Sequence, residues 1–508
     1  MEYLLGIDIG TSGAKTAIFD TEGKAVCSVT NEYPLYQPEN GWAEQDASDW
    51  WNAAKTGIRQ VIAKSGASSI DIKGVGLTGQ MHGLVMLDKD GGLLRRAIIW
   101  CDQRTAAECE QLKEAVGEKR IIEITANPAL TGFTAAKILW VQAHEPDIYS
   151  RCSHILLPKD YIRYMLTGEF ATDVSDASGM QLMNIGERDW SGEVLSKLHI
   201  DRRLLGSMHE SVDVTGTVCG KAASETGLTV GTVVAGGAGD NAAAAIGTGV
   251  VRPGSAFTTL GTSGVVYAVS DEMKIDLEGR IHTLCASVPG KWTVMSCTQA
   301  AGLSLQWLRD NVCTVEAEEG KRTGTDPYAL MDNMAETIKP GSNGLIYLPY
   351  LMGERSPHPD PYCRGVFFGL SAMHTRAHMI RAVMEGVAFS QKECVDVFRD
   401  MGVPISDMMV CGGGGRSALW RRMLADLYQC PVSAIKSDEG PALGAAILAG
   451  VSAGVYADVE EACGNIVTKD RALTPSPQNF DAYAGYYKLY KKLYSDLKDD
   501  FKELSELW

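Results

Sequence analysis

A single carboxylate, Asp240, stands between an apolar run and an alanine-rich run in the stretch Gly236–Gly247. The apolar residues TVVAGG are typical of a buried strand, and AAAAIG is typical of the first turns of a helix. The glycines before Asp240 leave room for a ligand against the backbone. Asp240 can therefore cap the helix by accepting a free N–H, or accept the proton of a bound hydroxyl as a general base. The local sequence leaves both roles open, and they do not exclude each other.

A second chemical feature is the small-residue turn GTSG at Gly10–Gly13, which directly follows the apolar strand Tyr3–Ile9. Its backbone N–H groups and the hydroxyls of Thr11 and Ser12 can surround phosphate oxygens. Asp8, at the end of the strand, can bind Mg²⁺ directly or through water. The sequence thus predicts a phosphate and metal site at this turn, with a plain hairpin turn as the alternative.

The same design recurs in the second half of the chain. A GTSG turn at Gly261–Gly264, containing Thr262 and Ser263, again joins two apolar strands, 251 residues after the first turn. Repetition at about half the chain length predicts two related lobes that offer their phosphate turns to a shared cleft. Thr259 stands where the first copy has Asp8, so only the first turn can bring a carboxylate to a metal.

Two further loops have compositions that suit ligand binding. The tip GQMHG, Gly79–Gly83, lies between two apolar strands and is expected to present His82 rather than bury it. A lone histidine at a strand end commonly has no role, which is the alternative. The turn Gly412–Gly415 leads from a strand into a helix, where a purine or ribose can lie against bare backbone. It lacks the patterns of a Walker loop and of a dinucleotide site.

The composition argues against several classes of protein. The 508-residue chain has a formal net charge of −16 and no basic block, which argues against nucleic acid as a partner. Its thirteen scattered cysteines show no metal-ligand spacing and are typical of core thiols in a reduced, cytosolic protein. The chain shows no signal-like segment and no run of about 18 apolar residues, so we expect a cytoplasmic protein without a membrane partner.

Together these motifs resemble the FGGY family of carbohydrate kinases, most closely its xylulokinases, from GIDIGTSGAK near the start to GPALGAA near Gly440. The resemblance implies an α/β, two-lobed, actin-like or ribonuclease H-like ATPase fold with duplicated domains around a central cleft. It implies an ATP:sugar phosphotransferase that uses ATP and Mg²⁺ to convert D-xylulose to D-xylulose 5-phosphate, with Asp240 as general base. The family also implies that a homodimer can form, although no stretch of this sequence identifies an interface.

We expect the domain boundary at the Pro/Gly turn that follows Gly249. The domain of residues 1–249 would contain the sugar site, the first phosphate turn and Asp240. The domain of residues 250–508 would contain the second phosphate turn and the adenosine site.

The resemblance also assigns roles to individual residues. The sugar is expected to contact Gln80, Met81, His82, Trp100, Asp240 and Asn241. The nucleotide is expected to contact Thr11, Ser12, Gly261, Thr262, Ser263, Gly302, Gln306, Gly412, Gly413, Gly414 and Ser417, and Asp8 is the expected metal ligand. For Trp100 the motif WCDQR offers an internal pair between Asp102 and Arg104 as an equal alternative to sugar contact. For Gly302 and Gln306, ordinary helix packing is an equal alternative.

Four expectations concern the elements around the site. A helix is expected over Ser296–Asn311, and the loop Asp173–Ser178 is expected to face the cleft. The motif GERSPH at Gly353–His358 is a family hallmark that is expected to brace the second lobe. A small-residue helix within Ser437–Gly450 is expected to pack against the adenosine site.

Two other functions remain open. Another FGGY kinase, for gluconate, ribulose, fuculose or glycerol, would share everything except the sugar contacts. A non-catalytic sugar- or nucleotide-sensing protein could use the same scaffold, although the intact Asp8, both phosphate turns and Asp240 argue against loss of activity.

Overall fold

The computed structural model describes residues 1–435 and 439–507. The strands in chain order are β1 Tyr3–Ile9, β2 Gly13–Asp20, β3 Ala25–Glu32, β4 Glu44–Gln45, β5 Ile72–Gly79, β6 Val85–Leu87, β7 Ala97–Ile98, β8 His154–Leu156, β9 Ala171–Asp173, β10 Met183–Asn184, β11 Asp189–Trp190, β12 Ser207–His209, β13 Val214–Thr217, β14 Val233–Ala235, β15 Ala238–Gly239, β16 Gly254–Thr259, β17 Gly264–Ser270, β18 His282–Cys285, β19 Trp292–Thr298, β20 Ile346–Leu348, β21 Val366–Phe368, β22 Ile405–Cys411 and β23 Val432–Ala434.

The α-helices in chain order are α1 Ala47–Ser65, α2 Ala106–Val116, α3 Glu118–Thr125, α4 Thr134–His144, α5 Pro146–Arg151, α6 Pro158–Thr167, α7 Val174–Ala177, α8 Gly192–Lys197, α9 Gly220–Thr226, α10 Asp240–Gly247, α11 Gly302–Asn311, α12 Thr314–Thr323, α13 Pro327–Glu336, α14 Arg376–Asp400, α15 Ala418–Tyr428, α16 Gly440–Ser452, α17 Val459–Ile466 and α18 Pro477–Ser505. None of the helices in the described part of the chain is long and apolar enough to cross a membrane.

The first large sheet has seven strands in the order β13-β14-β5-β1-β2-β3, with β15 beside the end of β5. Strand β5 is parallel to β1, β14 and β15, whereas β1, β2 and β3 form an antiparallel meander. In the ladder, Gly79 of β5 pairs with Ile9 of β1 and with Gly239 of β15. These three strands therefore end in one row, at the same edge of the sheet.

The second large sheet repeats this topology. Its order is β18-β19-β17-β16-β22-β23, with β16, β17 and β19 antiparallel and β22 parallel to both β16 and β23. The sequence β3-β2-β1-β5-β14 of the first sheet thus corresponds to β19-β17-β16-β22-β23 of the second. Each GTSG turn joins the first two strands of its sheet. The two-lobed, duplicated α/β fold predicted from the repeat is confirmed.

Helix α16 corrects one prediction. The small-residue segment expected within Ser437–Gly450 does form a helix, although Ser437 and Asp438 lie outside the described residues. It packs on α10 and on strands β1 and β5 of the first sheet, so the prediction that it packs against the adenosine site is wrong. Alanine and glycine spacing indicates only that something approaches closely. The sequence did not identify the partner, which is the helix that begins at Asp240.

The contact between α16 and α10 is made backbone to backbone. A Cβ atom added at Gly444 would lie 1.9 Å from the carbonyl oxygen of Ala243, and one added at Gly76 in β5 would lie 1.8 Å from that of Ala445. Because helix backbones cannot yield as a flexible side chain does, these glycines set the separation of α10, α16 and the sheet. The position of Asp240 depends on this separation.

We predict that Gly444→Ala destabilises the protein by about 1–3 kcal/mol or more, as overpacking of a core does. Gly464 offers a matched control, because it also lies in a helix, α17, and an added Cβ there meets no atom within 4 Å. Gly464→Ala should be neutral or stabilising by up to about 1 kcal/mol. Urea unfolding of both variants checks the prediction, and equal midpoints would contradict it.

Two expectations about local structure are also wrong. The segment expected to be helical from Ser296 is still strand β19 up to Thr298, and helix α11 begins at Gly302. The loop expected at Asp173–Ser178 is instead the end of β9 followed by helix α7, and every residue in it is buried. Its polar residues, expected at the cleft, contact other buried polar groups, as in the bond from the Ser175 hydroxyl to Asp173.

Candidate active site

Three sequence motifs meet at one edge of the first sheet. The first phosphate turn follows β1, the GQMHG tip follows β5, and Asp240 follows β15. Because these strands are parallel and end in one row, Gly10, Gln80 and Asp240 are the first residues beyond the same sheet edge. Ligands of open α/β sheets bind beyond the carboxyl ends of such strands. The sheet therefore brings together a phosphate turn, a polar tip and a carboxylate that are far apart in sequence.

Asp240 is the first residue of α10, and Gly239 occupies the N-cap position. Its Oδ1 accepts hydrogen bonds from the backbone N–H of Asn241 at 2.7 Å and from the side-chain amide of Asn241 at 2.9 Å. Within the described part of the chain, no hydrogen bond engages Oδ2. The carboxylate thus accepts one free N–H of the helix start through Oδ1, but from the first helical position and not from the N-cap, and this leaves Oδ2 for a ligand.

The pKa of Asp240 is raised to about 6, because burial disfavours the charged form more than the two bonds from Asn241 favour it. A carboxylate with a pKa near neutrality accepts a proton more readily than an exposed aspartate does. Asn241, which the resemblance assigns to the sugar, has its amide nitrogen committed to Asp240. Its side chain orients the carboxylate.

Asp8 lies at the end of β1, and its Oδ1 is buried with no hydrogen-bond partner among the described residues. Its pKa is raised to about 7, mainly by burial and also by the charge of Asp240, while the charge of Lys15 opposes the shift. A buried carboxylate that also faces a second acid is a costly arrangement unless a cation joins it. The orphaned oxygen and the hard oxygen donor therefore fit a Mg²⁺ ion at this position.

Gln80 of the tip ties the sugar side of the cleft to the first phosphate turn. Its amide nitrogen donates to Oε1 of Gln45 at 2.7 Å, and the amide of Gln45 in turn donates to the carbonyl of Thr11 at 2.7 Å. The Oε1 atom of Gln80 is buried and has no partner in the described part of the protein. Met81 packs against Gly239, where an added Cβ would lie 2.9 Å from its Cγ. The tip thus touches the residue that precedes Asp240.

His82 occupies the left-handed region of backbone space, with φ of 67°, which is uncommon for a residue other than glycine. Two groups of α4 hold this conformation, since Nζ of Lys137 donates to the carbonyl of His82 at 2.8 Å and the hydroxyl of Thr134 donates at 3.1 Å. Strained backbone of this kind is typical of functional sites. Sequence reasoning did not identify Lys137, because its role depends on how α4 packs against the tip.

The imidazole of His82 is half-buried rather than freely presented. Its Nδ1 lies 2.9 Å from the carbonyl oxygen of Gly179, so this nitrogen carries the proton and Nε2 is left as an acceptor. Burial, followed by the charge of Lys137, lowers the pKa of His82 well below its usual value. A neutral imidazole with a free acceptor is suited to a hydroxyl group of a ligand.

Trp100 lies at the first phosphate turn. Its indole N–H donates to the hydroxyl of Thr11 at 2.9 Å, and its side chain is partly exposed. Asp102 and Arg104 form the internal pair that the sequence offered as an alternative, with Nη2 of Arg104 2.7 Å from Oδ2 of Asp102. Asp102 also accepts the backbone N–H of Ala43 at 2.6 Å. This pair is buried and structural.

In the second lobe, a cavity of about 560 Å³ lies between the second phosphate turn, helices α11 and α13, and the glycine-rich turn before α15. Its size is in the range of small-molecule sites. The residues that line it include Leu260, Gly261, Thr262, Gly302, Leu305, Gln306, Asp326, Tyr328, Asp332, Gly413, Gly414, Arg416, Ser417 and Trp420. Seven of these were assigned to the nucleotide by sequence.

The other residues assigned to the nucleotide lie outside this lining. Thr11 and Ser12 are in the first lobe, and Ser263 is on the second turn itself. Gly412 has φ of 81°, and an added Cβ there would lie 3.0 Å from the backbone of Leu260. Glycine at this position therefore allows the backbone conformation of the turn and its close packing on Leu260. Helix α13 carries Tyr328 and Asp332, which sequence reasoning missed because the helix has no motif.

We predict that Gly413→Leu blocks this cavity without damaging the fold. An added Cβ at Gly413 meets no atom within 4 Å, although the residue lines the cavity, so the larger side chain would occupy ligand space. The KM for ATP should rise about tenfold or more, equal to about 1.4 kcal/mol of binding, while the melting temperature changes little. Gly485→Leu, at an exposed helix position with equally open space, is the control. An unchanged KM for ATP would contradict the prediction.

Side chains of the second lobe also interact electrostatically with the site. Burial raises the pKa of the Cys297 thiol, the charge of Arg355 opposes this shift, and the charges of Glu354 and Asp240 add to it. The charge of Arg355 also lowers the pKa of His82. The GERSPH motif, expected to brace the second lobe, thus also carries a guanidinium whose charge acts on His82 of the tip. Its proline-rich context gave no signal of this position.

Two family models match the chain. The N-terminal domain model of the FGGY family of carbohydrate kinases matches residues 3–247, and the C-terminal domain model of the same family matches residues 256–453. A xylulose kinase from Bacillus subtilis is 36% identical over 98% of both chains. The crystal structure of a xylulose kinase from Rhodospirillum rubrum is 30% identical, with a TM-score of 0.91, over 99% of this chain and 100% of that one. The crystal structure of a gluconate kinase from Lactobacillus acidophilus is 26% identical, with a TM-score of 0.90, over 99% of both.

Proposed function

The chain belongs to the FGGY family of carbohydrate kinases, and we propose that it transfers the γ-phosphoryl group of ATP to D-xylulose, forming D-xylulose 5-phosphate. The observation that carries this proposal is the common edge at which β1, β5 and β15 end, with a phosphate turn, a polar tip and Asp240 beyond it. The relatives named xylulose kinase, which align over nearly the whole chain, support this sugar over others.

In the proposed reaction, the terminal hydroxyl of the sugar donates its proton to Asp240 as its oxygen attacks the γ-phosphorus in line. The unengaged Oδ2 is the acceptor, because Asn241 already donates twice to Oδ1. Nε2 of His82 accepts a second sugar hydroxyl, since Nδ1 donates to Gly179. Phosphoryl transfer needs little covalent help from a protein, so orientation of these groups and neutralisation of charge supply most of the rate.

The nucleotide is proposed to lie in the cavity of the second lobe, with its phosphates between the two GTSG turns. Apolar side chains such as Leu305 and Trp420 would contact the adenosine, and the bare backbone of Gly413 would allow its close approach. Asp8 would hold Mg²⁺, directly or through water, and the ion when bound would neutralise charge on the phosphates. The orphaned Oδ1 of Asp8 supports this assignment.

An ADP-release assay against a panel of sugars tests the proposal. D-Xylulose should stimulate ADP formation strongly, and gluconate, ribulose, fuculose and glycerol should do so much less. If gluconate stimulates ADP formation most, gluconate and not D-xylulose is the substrate, which would agree with the similarity to a gluconate kinase structure. If no sugar in the panel stimulates ADP formation, the proposal is overturned and a sensing function is favoured.

We predict that kcat/KM for the sugar falls as the pH decreases through about 6. The pKa of Asp240 is raised to about 6, so below this pH the carboxyl is protonated and cannot accept the hydroxyl proton. In the limit the rate should decrease about tenfold per pH unit. Steady-state rates between pH 5 and 8 with saturating MgATP check this prediction. A kcat/KM that stays constant below pH 6 would contradict the role of Asp240.

Three finer points belong to the same proposal. The domains are those expected from the sequence, residues 1–249 and 250–508, which is compatible with the extents of the two family models. The cytoplasm is the proposed location, and a homodimer is the proposed assembly. Cell fractionation tests the location, and light scattering of the purified protein tests the assembly.

A further inference from the structure

Five charged side chains lie buried behind the turn Gly236–Gly239 that leads into Asp240, and we call that turn the base turn. The five side chains form what we call the anchor cluster, and each is at most 1% exposed: Lys159, Asp160, Arg163, Asp173 and Asp176. Burying charges is costly even when they are paired, so a cluster of this size requires a reason beyond stability.

The anchor cluster is closely paired. Nζ of Lys159 lies 2.6 Å from Asp160, 2.7 Å from Asp173 and 3.3 Å from Asp176. Nη1 of Arg163 lies 2.8 Å from Asp160. Burial raises the pKa of Asp176 well above its usual value, against the charge of Lys159.

Two paths lead from the anchor cluster to the base turn. The guanidinium Nη2 of Arg163 donates directly to the carbonyl oxygen of Gly236. On the other path, the N–H of Gly239 donates to the hydroxyl oxygen of Ser175 at 3.3 Å, and that hydroxyl donates to Oδ2 of Asp173 at 2.6 Å. The first residue of the base turn is therefore bonded to the cluster directly, and the last residue is connected to it through Ser175.

The same segment reaches the sugar tip. Residues 173–180 run from the anchor cluster past Gly179, whose carbonyl oxygen accepts a hydrogen bond from the Nδ1–H of His82. An added Cβ at Gly179 would lie 2.3 Å from that nitrogen, so the backbone and the imidazole are in close contact. One buried segment thus contacts both the residue before Asp240 and the imidazole proposed to bind the sugar.

We infer that the anchor cluster is a positioning device for the reaction, which fixes Asp240 through Ser175 and Arg163 and fixes His82 through Gly179. The inference rests on the proposed role of Asp240 as base. A rigid support matters here because a misplacement of about 1 Å at a reacting group can cost roughly a hundredfold in rate. Glycines in the base turn have no side chains of their own to hold it, so the support comes from buried neighbours.

Two serines provide a matched test. The hydroxyls of Ser175 and Ser211 both donate to Oδ2 of Asp173, at 2.6 and 3.0 Å, and both residues are buried. Only the hydroxyl of Ser175 also accepts the N–H of Gly239. Ser175→Ala and Ser211→Ala therefore remove the same kind of bond from the cluster, but only the first also removes a side-chain bond to the base turn. The backbone bond from Gly237 to the carbonyl oxygen of Ser211 remains in both variants.

The measurement is sugar-dependent ADP formation per nucleotide-binding site, with the sites counted by ADP titration at the same temperature. Ser175→Ala should lower kcat about tenfold, with the KM for ATP within about twofold, while Ser211→Ala stays within about twofold of wild type in both. Amide exchange should accelerate at Gly239 in Ser175→Ala alone. Counting the sites separates mispositioning from loss of folded protein, which would lower the number of sites and leave the rate per site unchanged.

Equal rates per site in the two variants would overturn the inference. If Ser175→Ala does not fold, Arg163→Lys tests the inference instead. This variant keeps a positive charge near Asp160 and loses the bond to Gly236. A rate per site equal to wild type in that variant would then overturn the inference. Failure of the proposed function has a different signature, namely a wild-type protein without sugar-dependent ADP formation or an Asp240→Asn variant with normal turnover.

Discussion

Asp240→Asn should lower kcat for sugar phosphorylation by roughly a hundred- to ten-thousand-fold, which is the usual cost of removing a positioned general base. The amide keeps the size of the side chain and its bonds with Asn241, but it cannot take the proton of the sugar hydroxyl. The KM for ATP should change little, because the cavity proposed for the nucleotide is lined by residues of the second lobe.

The fold should tolerate this change well. The pKa of Asp240 is raised mainly by burial, so the folded protein holds the ionised side chain at a cost in free energy. A neutral side chain removes that cost, and the melting temperature at pH 7 should stay constant or rise. A variant that loses both activity and stability would argue for a structural role, and one that keeps a tenth or more of the wild-type kcat would reject Asp240 as the base.

Asp8→Asn should have the second largest effect on activity. The buried Oδ1 of Asp8 has no partner among the described residues and lies near a second acid, Asp240. If Asp8 holds the metal, its loss should lower kcat by about tenfold or more and raise the Mg²⁺ concentration needed for half-maximal rate. The ligand-free variant should melt at a higher temperature than wild type, because the costly buried carboxylate is gone.

The internal repeat provides a control for this prediction. Thr259 occupies the position in β16 that corresponds to Asp8 in β1, and its hydroxyl accepts the backbone N–H of Val265 at 2.9 Å. Thr259→Val removes that bond and should lower stability slightly without changing the Mg²⁺ dependence. The reaction rate as a function of Mg²⁺ concentration, measured for wild type and both variants, tests the prediction. A curve for Asp8→Asn that coincides with that of wild type would exclude Asp8 as the metal ligand.

Each of these variants is expected to change a different measurable property of the protein. Asp240, Asp8 and Gly413 are expected to affect proton transfer, metal requirement and ATP binding respectively. Gly444, at the contact of α10 and α16, is expected to affect the stability of the element that carries Asp240. Activity and stability should therefore change in opposite directions at the two acids and in the same direction at Gly444→Ala. That pattern follows from the buried, unpaired charge at the first two positions and from backbone contact at the third.

Local sequence patterns predicted the local elements well. The apolar strand, glycine turn and second strand at residues 3–20 form β1 and β2 with nearly the expected bounds, and the second GTSG turn repeats them. The glycine-rich turn at Gly412–Gly415 leads from β22 into α15 as expected. Alternation of side chains and the freedom of glycine are properties of a few neighbouring residues, so they can be read without knowledge of the fold.

The failures concern groups whose role depends on distant partners. Lys159 and Asp176 look like surface charges in sequence, and only the packing of α6 and α7 buries them together. Lys137 and Arg355 gave no signal either, because each acts across the fold, on His82 in the cleft. The helix expected from Ser296 was wrong because the partner strand β17 extends the sheet to Thr298.

The sequence by itself determined the family, the duplicated phosphate turns and the few residues able to bind phosphate, metal or a hydroxyl proton. Only the tertiary structure decided that Asp240 begins the helix instead of occupying its N-cap, that Asn241 orients it, and that α16 lies on α10 rather than on the cavity of the second lobe. The physical reason is that turn geometry and side-chain chemistry are local. The row in which β1, β5 and β15 end, and the burial that raises the pKa of Asp240, arise from parallel strands brought together over long stretches of chain.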